Sequence, residues 1–183
     1  MNRNSLQNNL AMTVILISGT MLFATLLMGY AIYRTSASVW PPMGMMKVSL
    51  GYPVISTLTI FLSSWFSHQV KAEVKLGNIS SARSNLDTTI VLGVLFLAVQ
   101  TLLWNQLRNT GVYVESGIFA SIMYGFTWIH AAHVVLGLSS LAWLRLVMKP
   151  TTNELWQKAL NVEKFWHFLG IIWFILFLTL FVL

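Results

Sequence analysis

Cysteine is absent from this chain, and charged side chains are scarce. Its 183 residues contain no Cys, only five acidic side chains and 9% charged residues in all. Without cysteine the chain can form no disulfide and can offer no thiolate ligand to a metal or an iron–sulfur cluster. It has no Gly-rich phosphate loop, and serines such as Ser63 and Ser64 have no nearby acid or base that would activate a nucleophile. These absences argue against a soluble enzyme module and a catalytic site on the chain.

The residues that are present are mainly apolar, and they occur in long runs. Apolar residues make up 56% of the chain, and its sixteen charged residues all fall outside five stretches: 4–33, 48–70, 88–107, 116–144 and 165–183. About 20 mainly apolar residues let an α-helix cross a bilayer. The sequence therefore predicts an all-α integral membrane protein, a single domain over residues 1–183 with five transmembrane helices. The expected helices cover about residues 10–34, 50–69, 86–107, 117–146 and 164–183.

Basic residues outnumber acidic ones, giving a formal net charge of +6. They lie beside the ends of the expected helices, which suits anionic lipid headgroups and topology control, so nucleic acid is not an expected partner. With five crossings, eight basic residues fall on the side of the amino terminus and three on the other side. The positive-inside rule then predicts a cytoplasmic amino terminus and a carboxyl terminus outside.

The apolar stretches contain no carboxylate or ammonium group, and this bears on transport. Proteins that carry protons or ions usually need such groups inside the bilayer. We therefore do not expect a transporter, or a proton relay through the chain's own carboxylates.

The histidines are the chain's candidate metal or haem ligands. His130 and His133 lie near mid-membrane at three residues' spacing on one helix, so they cannot hold one iron from opposite sides, and no Cys, Asp or Glu lies at that depth to complete a metal site. His68 and His167 both lie within about a turn of the cytoplasmic surface and form the plausible cross-helix pair for a b-type haem. A structural role through hydrogen bonds is the favoured interpretation, with no metal bound.

Small residues recur at every fourth position of the fourth helix, at Gly117, Ser121 and Gly125. Such a face lets another helix approach closely in lipid. Both a partner subunit and a neighbouring helix of this chain could occupy it.

Two segments in the second half of the chain resemble cytochrome c oxidase subunit III. They are Thr127-Trp-Ile-His130-Ala-Ala-His133-Val134-Val-Leu-Gly137 and Phe165-Trp166-His167-Phe168 with Trp173. Further matches follow in order along the chain: Arg34 with Trp40-Pro41-Pro42, then Ser63-Ser64, Leu92-Gly93 and Gln100. Their order and spacing together span nearly the whole chain, and its length is similar to that of the short five-helix bacterial members.

The resemblance implies a non-catalytic subunit of a respiratory haem-copper terminal oxidase in a bacterial plasma membrane. Its partners would be subunit I, which holds the haems and copper, and subunit II. The complex would pass electrons from cytochrome c or quinol to O₂ and translocate protons, and this subunit would stabilise subunit I and bind phospholipid. The residues expected at the lipid are Arg145, Lys149, Trp40 and Arg34, although the basic ones could equally be topology signals. The expected packing residues are His130, His133, His167, Trp166, Gly117, Ser121 and Gly125.

The chain also departs from this family at three positions that are usually acidic. They are occupied here by Gly19, Leu103 and Gly170. A proton-related role for those carboxylates is therefore not implied.

Two other hypotheses stay open from the sequence. The first is a subunit-III-like accessory protein of a nitric oxide reductase, which would have the same five-helix pattern. The second, from a different class, is a small membrane b-type cytochrome with His68 and His167 as haem ligands.

Overall fold

The computed structural model describes residues 3–38, 50–148 and 153–182, and these are almost entirely helical. The helices are α1 (Arg3–Ser36), α2 (Gly51–Leu76), α3 (Ile79–Asn109), α4 (Ile118–Val147) and α5 (Asn153–Phe177). A short 3₁₀ turn, Val114–Ser116, precedes α4, and a π-helical segment, Leu178–Val182, continues α5. The described residues include no strand. The all-helical fold class is thus as predicted.

The helices extend further than the sequence predicts at one end of the bundle, the end where α2 and α4 finish and α3 and α5 begin. We call this the Gly77 end. There α2 continues to Leu76 instead of residue 69, and Gly77 closes it in the left-handed region with φ 80°. The next helix begins directly afterwards at Ile79, and α5 begins at Asn153 instead of residue 164. The expected limits followed the apolar stretches, whereas the backbone hydrogen-bond ladder continues into polar sequence beyond them.

Four of the five helices are long and apolar enough to cross a membrane. These candidate spans are Asn9–Ser36, Ile79–Asn109, Ile118–Val147 and Leu155–Val182. Five transmembrane helices were predicted, and four of the described helices have the length and composition that a transmembrane helix needs. The exception is α2, whose buried face is rich in serine and threonine.

Packing connects four helices closely and leaves one at the edge. The α2–α3 pair forms a hairpin, α4 packs against α3, and α5 packs against both α2 and α4. Helix α1 packs mainly on α5. Two clusters of buried apolar side chains fill the bundle, and α5 contributes to both of them.

Candidate functional site

Trp166 of α5 lies at the point where four helices meet. Its side chain is fully buried, and its indole Nε1 donates a hydrogen bond to Ser63 Oγ of α2 at 3.1 Å. The ring also lies against two glycines, Gly93 of α3 and Gly137 of α4. Four separate matches to the family pattern are therefore assembled into one site by the fold. Buried indole groups usually find a partner for their N–H, and Ser63 supplies it here.

The two glycines are required at this site by space rather than by backbone conformation. A Cβ added at Gly93 would lie 2.8 Å from the Trp166 ring and 2.7 Å from Leu138. A Cβ added at Gly137 would lie 2.9 Å from the same ring and 2.7 Å from Leu169. Contacts this short require the leucine, the Trp166 ring or a helix to shift. The glycines thus form a slot for Trp166, a close approach of the kind that holds helices together in lipid.

Trp173 repeats this arrangement two turns further along α5. Its Nε1 donates a hydrogen bond to Thr57 Oγ1 of α2 at 3.1 Å. Its ring meets Phe96 of α3 edge-on, with ring centroids 5.0 Å apart, and lies 5.5 Å from the ring of His130. Both tryptophans therefore connect α5 to α2 through an N–H···O hydrogen bond. The aromatic contacts of Trp173 also connect α5 to α3 and α4. The sequence analysis had named Trp166 as a packing residue, but had not foreseen that both indoles are completely buried.

His130 is buried without the hydrogen bonds that the sequence analysis assigned to it. Neither ring nitrogen has a partner among the described residues. The imidazole is instead surrounded by the rings of Phe23, Phe96 and Trp173. His133 differs, because its Nδ1 lies 2.8 Å from the carbonyl oxygen of Ile129 on its own helix. Among the described residues His130 therefore packs against aromatic rings, and its expected hydrogen bond stays a prediction.

The most polar feature of the bundle surrounds Glu163 at its Gly77 end. Glu163 is only 4% exposed. Its Oε1 lies 2.9 Å from His68 Nδ1 and 3.5 Å from His167 Nε2, and its Oε2 lies 3.0 Å from Lys71 Nζ. Three nitrogen groups from α2 and α5 thus converge on one carboxylate. A buried carboxylate needs such partners, because an unpaired charge there is very costly.

Sequence reasoning missed Glu163 because it lies two residues before the last apolar stretch. A usable signal was present, since Glu163 and His167 are four residues apart and face the same side of a helix. The structure does bring the predicted pair His68 and His167 together, with ring centroids 6.5 Å apart. However, the Glu163 carboxylate contacts both imidazoles. This arrangement does not favour a haem held between the two rings.

The residues predicted to bind lipid are only partly described. Trp40 and Lys149 lie outside the described residues. Arg145, near the end of α4, makes a two-pronged ion pair with Asp87 of α3, with distances of 2.7 Å from Nε to Oδ1 and 3.2 Å from Nη2 to Oδ2. Arg34 lies in the last turn of α1 and is engaged with neighbouring groups.

The small-residue face of α4 points away from the other helices. Gly117 and Ser121 are exposed, and Ser121 Oγ bonds to the carbonyl oxygen of Gly117 in its own helix. A Cβ added at Gly125 would have no neighbour within 4 Å. Two occupants were considered for this face, a partner subunit and a neighbouring helix of this chain. Among the described residues, no neighbouring helix occupies it.

The three neutral positions noted in the sequence have different surroundings. Leu103 is completely buried in an apolar cluster. A Cβ at Gly170 would lie 3.2 Å from Ser64 Oγ, and one at Gly19 would lie 3.0 Å from the ring of Phe168. At these three positions, which the resemblance would make acidic, the side chain or the space beside the backbone is thus taken up by apolar packing or by a neighbouring helix.

Comparison with known proteins agrees with this arrangement. The family model for cytochrome c oxidase subunit III matches residues 3–183. Cytochrome c oxidase subunit 3 of Thermostichus vulcanus is 30% identical over 95% of this chain and 86% of its own length. The proteins of the same name from Synechocystis and Corynebacterium diphtheriae are 25% and 27% identical, each over 92% of this chain and over 72% and 85% of their own lengths. The match runs through the Trp166 slot and all five helices, and on this basis the chain belongs to the cytochrome c oxidase subunit III family.

Proposed function

We propose that this protein is the non-catalytic subunit III of a respiratory haem-copper terminal oxidase, and that it stabilises subunit I and binds phospholipid. The observation that carries the proposal is the family match along residues 3–183. The arrangement of α5 supports it, since the tryptophan contacts serve helix packing. In this proposal the haems and copper belong to subunit I, and electrons pass from cytochrome c or quinol to O₂ within the complex.

We propose further that α2 crosses the membrane with the other four helices. Its polar residues point inward, where Ser63 Oγ donates to the carbonyl oxygen of Thr89 and Ser56 Oγ accepts from Gln100 Nε2. Both partners lie in the uncharged stretch 88–107 of α3, so α2 lies beside α3 at membrane depth. The outward face of α2 is apolar. Its exposed residues include Val54, Leu58, Phe61, Leu62 and Trp65.

Five crossings with a cytoplasmic amino terminus can be tested directly, because the chain contains no cysteine. We expect a single cysteine at Asn78, between α2 and α3, to resist a membrane-impermeant maleimide in intact cells. A single cysteine at Tyr113, between α3 and α4, should react. If α2 did not cross, the two results would be exchanged. Permeabilised cells, in which both sites should react, provide the control.

Lipid binding is proposed for the surface beside Arg145. A shallow groove there is lined by Ser80, Arg83, Ser84 and Asp87 of α3. Arg83 Nη2 donates to the carbonyl oxygen of Met148 at 2.7 Å, and Arg145 is paired with Asp87. The charge of Arg145 is already compensated by Asp87, so the Arg83 guanidinium is the group that suits a phospholipid phosphate at headgroup depth. Loss of a tightly bound phospholipid from the Arg83→Gln variant, but not from a Lys75→Gln variant of the exposed end of α2, would support this site.

The experiment that tests the main proposal is purification of the tagged chain from its native membranes in mild detergent. We expect a haem-copper subunit I to co-purify, identified by mass spectrometry and its absorption spectrum. The haem should leave with that partner when this chain is stripped away. Co-purification of a nitric oxide reductase, or a haem band that stays with the isolated chain, would contradict the proposal.

A further inference from the structure

The side chains around Glu163 stabilise its buried carboxylate, and together with it they also form a set of metal donors. His68, Glu163 and His167 each offer one ligand atom, and the three atoms lie within 4.8 Å of one another. We propose that these residues bind Zn²⁺ and thereby connect α2 to α5 at the Gly77 end.

The distances already approach those of a metal site. Zinc binds His nitrogen and carboxylate oxygen at about 2.0–2.2 Å, which places neighbouring ligands of a tetrahedral site about 3.3–3.5 Å apart. Glu163 Oε1 lies 3.5 Å from His167 Nε2 and 2.9 Å from His68 Nδ1. His68 is the most exposed of the three, with 57% of its side chain accessible, so it can adjust by rotation. Two ligands on one rigid helix and a third on its neighbour give a site that needs little rearrangement.

Lys71 is compatible with this site because it uses the other carboxylate oxygen. Its Nζ lies 3.0 Å from Oε2, whereas both imidazoles face Oε1. A ligating carboxylate is commonly held by such a hydrogen bond from outside the metal shell. The ammonium charge also repels a cation, however, and so lowers the affinity of the site.

The chemistry of the donors selects the cation. Two imidazoles and one carboxylate suit Zn²⁺ and related transition metals, while Mg²⁺ and Ca²⁺ prefer an all-oxygen shell. His167 is 37% exposed and His68 is more exposed, so the site is open to water on one side. Water can therefore occupy a fourth position.

The test is Zn²⁺ binding by the full chain in its native complex, measured by equilibrium dialysis and elemental analysis against variants of the same complex. We expect Glu163→Gln and His167→Ala each to weaken binding at this site by about 100-fold or more. The matched control is Glu73→Gln. Glu73 is a half-buried residue at the same end of α2, and its carboxylate accepts a hydrogen bond from Asn78. Its loss should leave binding unchanged.

Two further measurements keep the test decisive if a buried variant assembles poorly. His68→Ala removes an exposed ligand and should also weaken binding, with no loss of assembly. Visible absorption of Co²⁺ bound in place of zinc should be lost with His68→Ala and kept with Glu73→Gln. Equal Zn²⁺ binding by the wild type, His68→Ala and Glu163→Gln would overturn the proposal.

Discussion

The two terminal helices α1 and α5 are similarly apolar but packed very differently. In the apolar window of α1 only 6% of the residues are buried, against 44% in that of α5. The threonines of α1 bond to their own backbone, as Thr13 does to Asn9 and Thr20 to Leu16. On α5, by contrast, two indole N–H groups reach hydroxyl groups of α2. Apolarity alone therefore does not decide which helix becomes central.

The difference follows from how helices associate in lipid. Lipid tails are as apolar as leucine, so burial of apolar area between helices gains little, and close packing and hydrogen bonds decide the association. Helix α5 meets glycines on two neighbours and hydroxyl groups on a third, whereas α1 mainly meets α5. A buried exception on α1 is Tyr30, whose hydroxyl donates to the carbonyl oxygen of Thr179 at 2.9 Å. Substitutions that remove or add atoms at these contacts, followed by measurement of the free energy of unfolding, can test this difference between α1 and α5.

The largest effect is expected from Trp166→Ala. Removing a completely buried tryptophan leaves a cavity between four helices and should lower the free energy of unfolding by about 3–5 kcal/mol. The measurement is reversible unfolding of the purified chain in mixed detergent micelles. Trp65→Ala is the matched control, because Trp65 is 63% exposed on the outward face of α2. Equal losses from the two variants would show that the slot does not hold the bundle together.

A single added methyl group should have the next largest effect. In Gly137→Ala the new Cβ would lie 2.7 Å from Leu169 and 2.9 Å from Trp166. Overpacking of this kind costs about 1–3 kcal/mol. Gly125→Ala adds the same group to the same helix where no atom lies within 4 Å. That control should be neutral or slightly stabilising, since alanine favours the helix over glycine.

Much of this fold could be predicted from the sequence, because the charged residues delimit the apolar stretches. The helix ends could be predicted only in part, since hydropathy marks where the bilayer ends and not where the backbone ladder stops. The Gly77 cap shows that the chain carries its own signal for the end of α2. By length and composition α2 is the exception among the five helices, because its inward hydroxyl groups lower its hydropathy.

The candidate site could be predicted in part. Trp166, Gly137 and Ser63 each belonged to a separate matching segment, and only the fold shows that they touch. Glu163 was missed because it lies just outside the last apolar stretch, and only residues within the stretches were considered as buried. The surroundings of His130 could not be predicted, because the three aromatic rings that enclose it come from three other helices. Contacts between distant segments are set by helix rotation, which the sequence pattern does not define closely.

A smaller loss is expected from Ser63→Ala. Ser63 Oγ accepts from Trp166 Nε1 and donates to the carbonyl oxygen of Thr89. Hydrogen bonds between membrane helices contribute about 0.6 kcal/mol on average, so losing both should cost about 1 kcal/mol. The same unfolding measurement applies. Ser139→Ala is the control, since Ser139 is exposed and bonds only to the carbonyl oxygen of Val135 in its own helix.

The smallest effect is expected where a methyl group is added between α1 and α5. In Gly19→Ala the new Cβ would approach the outer edge of the Phe168 ring at 3.0 Å. Unlike Trp166, Phe168 is only partly buried, and α1 packs mainly on this one neighbour, so ring and helix can both give way. We expect a change below about 0.5 kcal/mol, because the gain in helix propensity offsets the remaining contact. A loss as large as that of Gly137→Ala would mean that α1 is held as firmly as α5, and the contrast between the two helices would then rest on exposure alone.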